Sequence, residues 1–158
     1  MIRSIRVMVL VSAVLAASGA CAQTADTIAS SIPPSVTEVS TGGAWSKNGE
    51  TGAFRAIVVT NPAASAPVSV YVQLLAFGKD GAGASVVKSI PIKEVVERKL
   101  KNAFVNFDAE AENKVMLIIT SYDPEKDTDK SIYAEVTVDG AYKLIDAPKD
   151  NAGAAAKK

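Results

Sequence analysis

The sequence predicts an all-β chain: an immunoglobulin-like β-sandwich of about seven or eight strands with one short helix, a small β-barrel being the alternative. Three observations predict it. Apolar and polar residues alternate with a period of two in several segments, the spacing that turns one side of a strand toward a core. Turn signals such as Asn61-Pro62, Gly78-Lys79-Asp80-Gly81 and Asp139-Gly140 separate those segments. The segments fill residues 36–147, a span suited to one domain.

The first 22 residues read as a secretory signal peptide. Arg3 and Arg6 form a positive start, Val7 to Ala17 is apolar but for Ser12, and Ala20-Cys21-Ala22 is a small-residue cleavage site. The apolar run is too short for a membrane span. Cleavage before Gln23 makes the protein periplasmic or secreted. Removing Arg3 and Arg6 lowers the 17 basic residues to 15 against 17 acidic ones, a balance that excludes an electrostatic footprint for nucleic acid. Cys21, the single cysteine, has two fates. It leaves with the signal, or it becomes the lipidated first residue of a membrane-anchored lipoprotein. Ser18 stands where a lipoprotein signal usually carries a Leu-like residue, which favours the first fate. Either way no disulfide forms within one chain, and stability comes from an apolar core.

Residues 23–35 read as a flexible or extended leader, with Pro33-Pro34 opposed to helix. Gly42, Gly43, Gly49 and Gly52 then imply a loop with unusual backbone angles or close approaches. Phe54 to Thr60 is an apolar, β-branched strand ended by Asn61-Pro62. In Val68 to Phe77, Val68, Val70, Val72, Leu74 and Ala76 make one apolar face. Ala84 to Ile90 is its return strand beyond Gly78–Gly81. Ile92 to Lys101 fits a short amphipathic helix through Ile92, Val95, Val96 and Leu100, an edge strand being the alternative. Ala103 to Ala109 alternates again, and Glu112-Asn113 turns the chain. Val115 to Tyr122 is apolar on both faces and reads as a central strand. Ile132 to Val138 and Ala141 to Ile145 flank the Asp139-Gly140 hairpin signal. Lys88 and Lys143 are placed as charges that blunt sheet edges. Residues 148–158 read as a polar, disordered tail.

Much chemistry is excluded. The chain has no histidine, so a Ser-His-Asp triad, a Cys-His dyad and a Cys/His zinc site cannot form. No phosphate-binding or dinucleotide glycine fingerprint occurs. The expectation is a non-enzyme with no cofactor. A weak calcium candidate is the loop carrying Asp123, Glu125, Asp127 and Asp129, whose hard oxygen ligands alternate. It lacks the glycine and closing glutamate of an EF-hand, and Lys126 and Lys130 offset its charge. A solvated connection between strands is the favoured reading.

Candidate binding residues are Trp45, Arg55, Tyr71 and Gln73. Trp45 is either a ligand platform on a glycine-rich loop or a core residue with glycines turning the chain around it, core packing being favoured. Arg55 points opposite to Phe54 and Ala56, hence toward solvent if Phe54 faces the core. Tyr71, Gln73, Leu75 and Phe77 share the second face of the best strand. That face is read as buried, with an exposed binding patch as the alternative.

The run Gly42-Gly43-Ala44-Trp45 to Val59, followed by Tyr71-Val72-Gln73, resembles a group of small exported proteobacterial envelope proteins. Their shared pattern is Gly-Gly-x-Trp, spaced glycines, an Arg beside an aromatic, an aliphatic strand, and Tyr-Val-Gln. The pattern often continues with Trp, where this chain has Leu74. The resemblance implies a Gram-negative envelope location and no active site. The function expected is an accessory module that binds another cell-envelope protein. A periplasmic carbohydrate-binding domain using Trp45, Tyr71 or Tyr133 is the alternative, and a paired-carboxylate glycosidase is third.

Overall fold

The computed structural model describes residues 25–79 and 83–147. The signal segment, Cys21, the tail from 148 onward and the Asp80-Gly81 part of the predicted turn lie outside the described residues. None of the described helices is long and apolar enough to cross a membrane.

The chain divides at Ile32/Pro33. The first unit contains helix α1, Ala25–Ser30. The leader was expected to be flexible or extended, so α1 is a correction. ADTIAS contains no proline, and Pro33-Pro34 constrains only its immediate neighbourhood.

The second unit is the predicted all-β sandwich, of eight strands and one short helix. Strands β1 (Val36–Lys47), β2 (Glu50–Thr60), β3 (Val68–Phe77) and β4 (Ala84–Pro91) form an antiparallel sheet in that order. Helix α2 (Lys93–Glu97) follows. Strands β5 (Ala103–Ala111), β6 (Lys114–Asp123), β7 (Thr128–Thr137) and β8 (Tyr142–Ile145) form a second sheet, again in chain order. Both sheets are meanders, whereas immunoglobulin domains use Greek-key connections. The likeness to such domains lies in size, strand number and layering.

Both sheets contribute to one core. Phe54, Val72, Val105, Leu117, Ile119, Ala134 and Val136 are each at most 1 % exposed. The predicted face of β3 is the buried one, and β6 is central, with Met116 buried on its other side. Helix α2 plugs the core with Val95, fully buried, between the equally sheltered Ile92 and Leu100. The chain after α2 is stapled by Ser121, whose hydroxyl donates to the Lys101 carbonyl and accepts from the Lys101 N–H.

The glycine-rich stretch is a hairpin. Its turn is Asn48-Gly49, both at positive φ (54° and 80°), as a type I′ turn requires. That dipeptide was the strand-pairing signal that the reading as a loop overlooked. Gly43, at φ 65°, accompanies a bulge that shifts the register between Gly42 and Ala44. The predicted close approaches are present. A Cβ on Gly42 would stand 2.7 Å from the Phe107 ring, which joins β1 to β5. A Cβ on Gly52 would collide with the Leu75 carbonyl oxygen and stand 2.5 Å from the Trp45 indole.

Two seams close the sandwich. On one, the Glu38 carboxylate accepts the Val105 N–H of β5 at 3.2 and 3.3 Å, and Asn113 Oδ1 accepts the Ser46 N–H at 2.7 Å. On the other, the Tyr142 hydroxyl donates to Glu94 at 2.9 Å and accepts the Lys93 N–H at 3.2 Å. Lys88 and Lys143 do lie on the edge strands β4 and β8. Lys88 reaches the Asp139 carbonyl at 2.9 Å, and a bulge opposite Leu74/Leu75 further distorts its edge.

This packing separates two kinds of glycine. Gly52→Ala is expected to cost about 3 kcal/mol or more, because backbone and indole must both move. Gly49→Ala, with open space around its Cβ, is expected to cost only about 1–2 kcal/mol, the penalty of a left-handed backbone. Urea denaturation midpoints compare them; equal losses would mean that the Trp45–Gly52 contact contributes little.

Candidate functional site

The four candidate binding residues divide between two sides of the first sheet. Trp45 pairs in register with Gly52 and is 5 % exposed. Its Nε1 donates to the Ala53 carbonyl at 3.3 Å. The indole is thus packed and its polar atom satisfied, which overturns its use as an exposed platform. An open depression of about 500 Å³ is lined in part by Trp45, with the exposed Phe77 beside it, but so little of the indole is exposed that it offers no broad stacking surface.

Arg55, Tyr71 and Gln73 come together on the outer face. β-sheet parity turns Phe54 and Ala56 inward, and so turns Arg55 outward. Register then sets Arg55 opposite Gln73. The Gln73 amide oxygen accepts from Arg55 Nε at 3.0 Å and from a terminal guanidinium nitrogen at 2.5 Å. This pairing was not readable beforehand, because it depends on which residues of β2 and β3 stand opposite. The second face of β3 was expected to be buried; Ser69, Tyr71 and Gln73 are instead half-buried and Phe77 is exposed. Only Leu75 of that face is buried.

Three register rows build this face. The central row is Thr41, Arg55, Gln73 and Ser89. On one side lies Val39, Ile57, Tyr71 and Pro91, and on the other Ala44, Ala53, Leu75 and Val86. Val39 is 49 % exposed and Val86 48 %. Arg55 is the only charged residue in the three rows. The Tyr71 row continues into a groove of about 270 Å³ between β3 and α2, bounded by Pro91, Lys93, Val96 and Glu97.

The outer face of the second sheet is different. Glu135 on β7 stands 2.9 Å from the ammonium groups of both Lys114 on β6 and Lys143 on β8. The hydrogen bond from Lys114, followed by that from Lys143, holds its carboxyl below the ordinary carboxylate range. Phe104, Ile118 and Tyr133 lie elsewhere on this face. Tyr71 and Tyr133 therefore occupy different sheets and form no joint platform.

The calcium candidate folds as the β6–β7 hairpin. Asp123 and Thr128 pair across it, and Asp127 takes a positive φ of 48°. Asp123 accepts the Glu125 N–H and lies 3.7 Å from Lys126; Glu125 lies 3.7 Å from Lys101; Asp127 accepts the Tyr122 hydroxyl at 3.1 Å. Among the described residues no three acidic or thiol side chains are grouped to hold a metal ion. The alternating carboxylates thus diverge along a hairpin, which corrects the candidate.

No protein-family model, curated protein or solved structure matches this chain. Its functional reading accordingly stands on its own surfaces.

Acid sensitivity follows from the lysine-held carboxylates. The Lys47 hydrogen bond, as the main cause, likewise lowers Asp139. Such groups bind a proton more weakly when folded than when unfolded. Their stabilisation is complete above the ordinary carboxylate range and is lost as pH falls through the lowered values. The urea midpoint is expected to fall between about pH 6 and about pH 3, and Glu135→Gln to flatten part of that fall. An identical pH profile in wild type and variant would refute the assignment to Glu135.

Proposed function

We propose that this is an exported, non-enzymatic β-sandwich that binds another cell-envelope protein as an accessory or interaction module. The observation that carries the reading is the outer face of the first sheet, where two apolar rows flank a lone cation. A soluble domain does not ordinarily leave so apolar and weakly charged a surface without use. The missing histidine supports the non-enzymatic part, because it removes the commonest general base at neutral pH. The apolar run before Ala20-Cys21-Ala22 supports export, to the periplasm or beyond, or to a membrane through lipidated Cys21. The resemblance to small exported envelope proteins points the same way.

The carbohydrate reading loses its strongest residue with Trp45 in the core. Tyr71 alone remains beside Arg55 and Gln73.

In-cell crosslinking of a C-terminally tagged full chain, with mass spectrometry of the adducts, tests the proposal. One reproducible envelope protein is the expected result, and the N-terminal mass reports whether the chain starts at Gln23 or at modified Cys21. No specific protein adduct, together with retention on peptidoglycan, would replace the proposal with a glycan-binding one.

A further inference from the structure

Resting on that reading, we infer that the partner docks on the outer face of the first sheet and presents a carboxylate, from an Asp or Glu in an apolar segment, to Arg55. The charge pattern carries the inference. The five ion pairs among the described residues engage Lys47, Lys101, Lys114, Lys126 and Lys143, and none engages Arg55. Its partner is the neutral Gln73, which uses Nε and one terminal nitrogen. Among the described residues nothing accepts from the other terminal nitrogen. A guanidinium fixed in its plane by one acceptor is prepared for a carboxylate, since little side-chain freedom is left to lose.

The surroundings strengthen the match. The rows through Tyr71 and Leu75 are apolar, so a docked partner excludes water on both sides of the pair. A charge-assisted hydrogen bond in such a setting is stronger than one in open solvent. The face extends over four strands and suits a protein surface better than a small anion, which would need an enclosing pocket. A second copy of this chain fits poorly. Two-fold pairing of like faces would bring Arg55 toward Arg55 with no carboxylate in either set of three rows.

The test places a photo-crosslinking residue at Ser89, exposed in the Arg55 row, or at Phe104, exposed on the second sheet, in the full chain in its own cells. The expected result is one protein captured from Ser89, with the yield reduced about tenfold or more by Arg55→Glu. Changing the contacted acidic residue of that protein to Arg should then restore capture by Arg55→Glu. A wild-type urea midpoint for Arg55→Glu shows that folding is intact; if it is not, Arg55→Gln, which removes the cation without adding an anion, takes its place. Capture from Ser89 that neither variant reduces overturns the inference, as does capture of a second copy. Capture from Phe104 alone overturns it while leaving the interaction-module reading in place. No capture from either position defeats both.

Discussion

Everything in this fold depends on one shared apolar core, because the two sheets are separate hydrogen-bond ladders. A meander satisfies its own backbone within each sheet but leaves one face of each in need of cover. The other sheet supplies most of that cover, through Phe54 and Val72 on one side and Leu117 and Val136 on the other, and Val95 of α2 adds to it. No disulfide within the chain can substitute, as Cys21 is the sole cysteine. The polar contacts at the seams follow from this closure. Glu38 reaches Val105, and Tyr142 reaches Glu94, because the core has already brought the sheet margins together.

The same closure leaves two outer faces of unlike character. On the second sheet, Lys114, Glu135 and Lys143 satisfy one another across three strands. On the first sheet the corresponding middle row holds a cation and an amide. A hydrogen bond to Gln73 orients Arg55 without neutralising it. Exposed ion pairs contribute little to stability, so the contrast matters more for recognition than for folding.

Most of the strands were legible because alternation is a local property. The bounds of β3 match the alternating run from Val68 to Phe77, and the spacing of Ile92, Val95, Val96 and Leu100 marked the short helix. β1 was obscured because its half-buried positions include the polar Glu38 and Ser40 while Val39 is exposed, and its bulge falls at a Gly-Gly pair. Both features imitate a loop. At the candidate site, parity with Phe54 was enough to turn Arg55 outward. Its union with Gln73 was hidden, since that requires the register between two strands. Trp45 was ambiguous for a different reason: an aromatic amid glycines suits either a platform or a packed ring. Gly52, by admitting the indole, decides for packing.

The chain-order path of the two sheets has a kinetic consequence. Every ladder joins consecutive strands, so each hairpin closes over a short loop and needs no distant segment. The first sheet can assemble before the second exists. Until β5 to β8 arrive, however, Phe54, Val58, Val70 and Val72 line an uncovered half-shell. Docking of the halves is therefore the late event that removes sticky surface from water, and the interval before it is when this chain is most open to aggregation or to a chaperone.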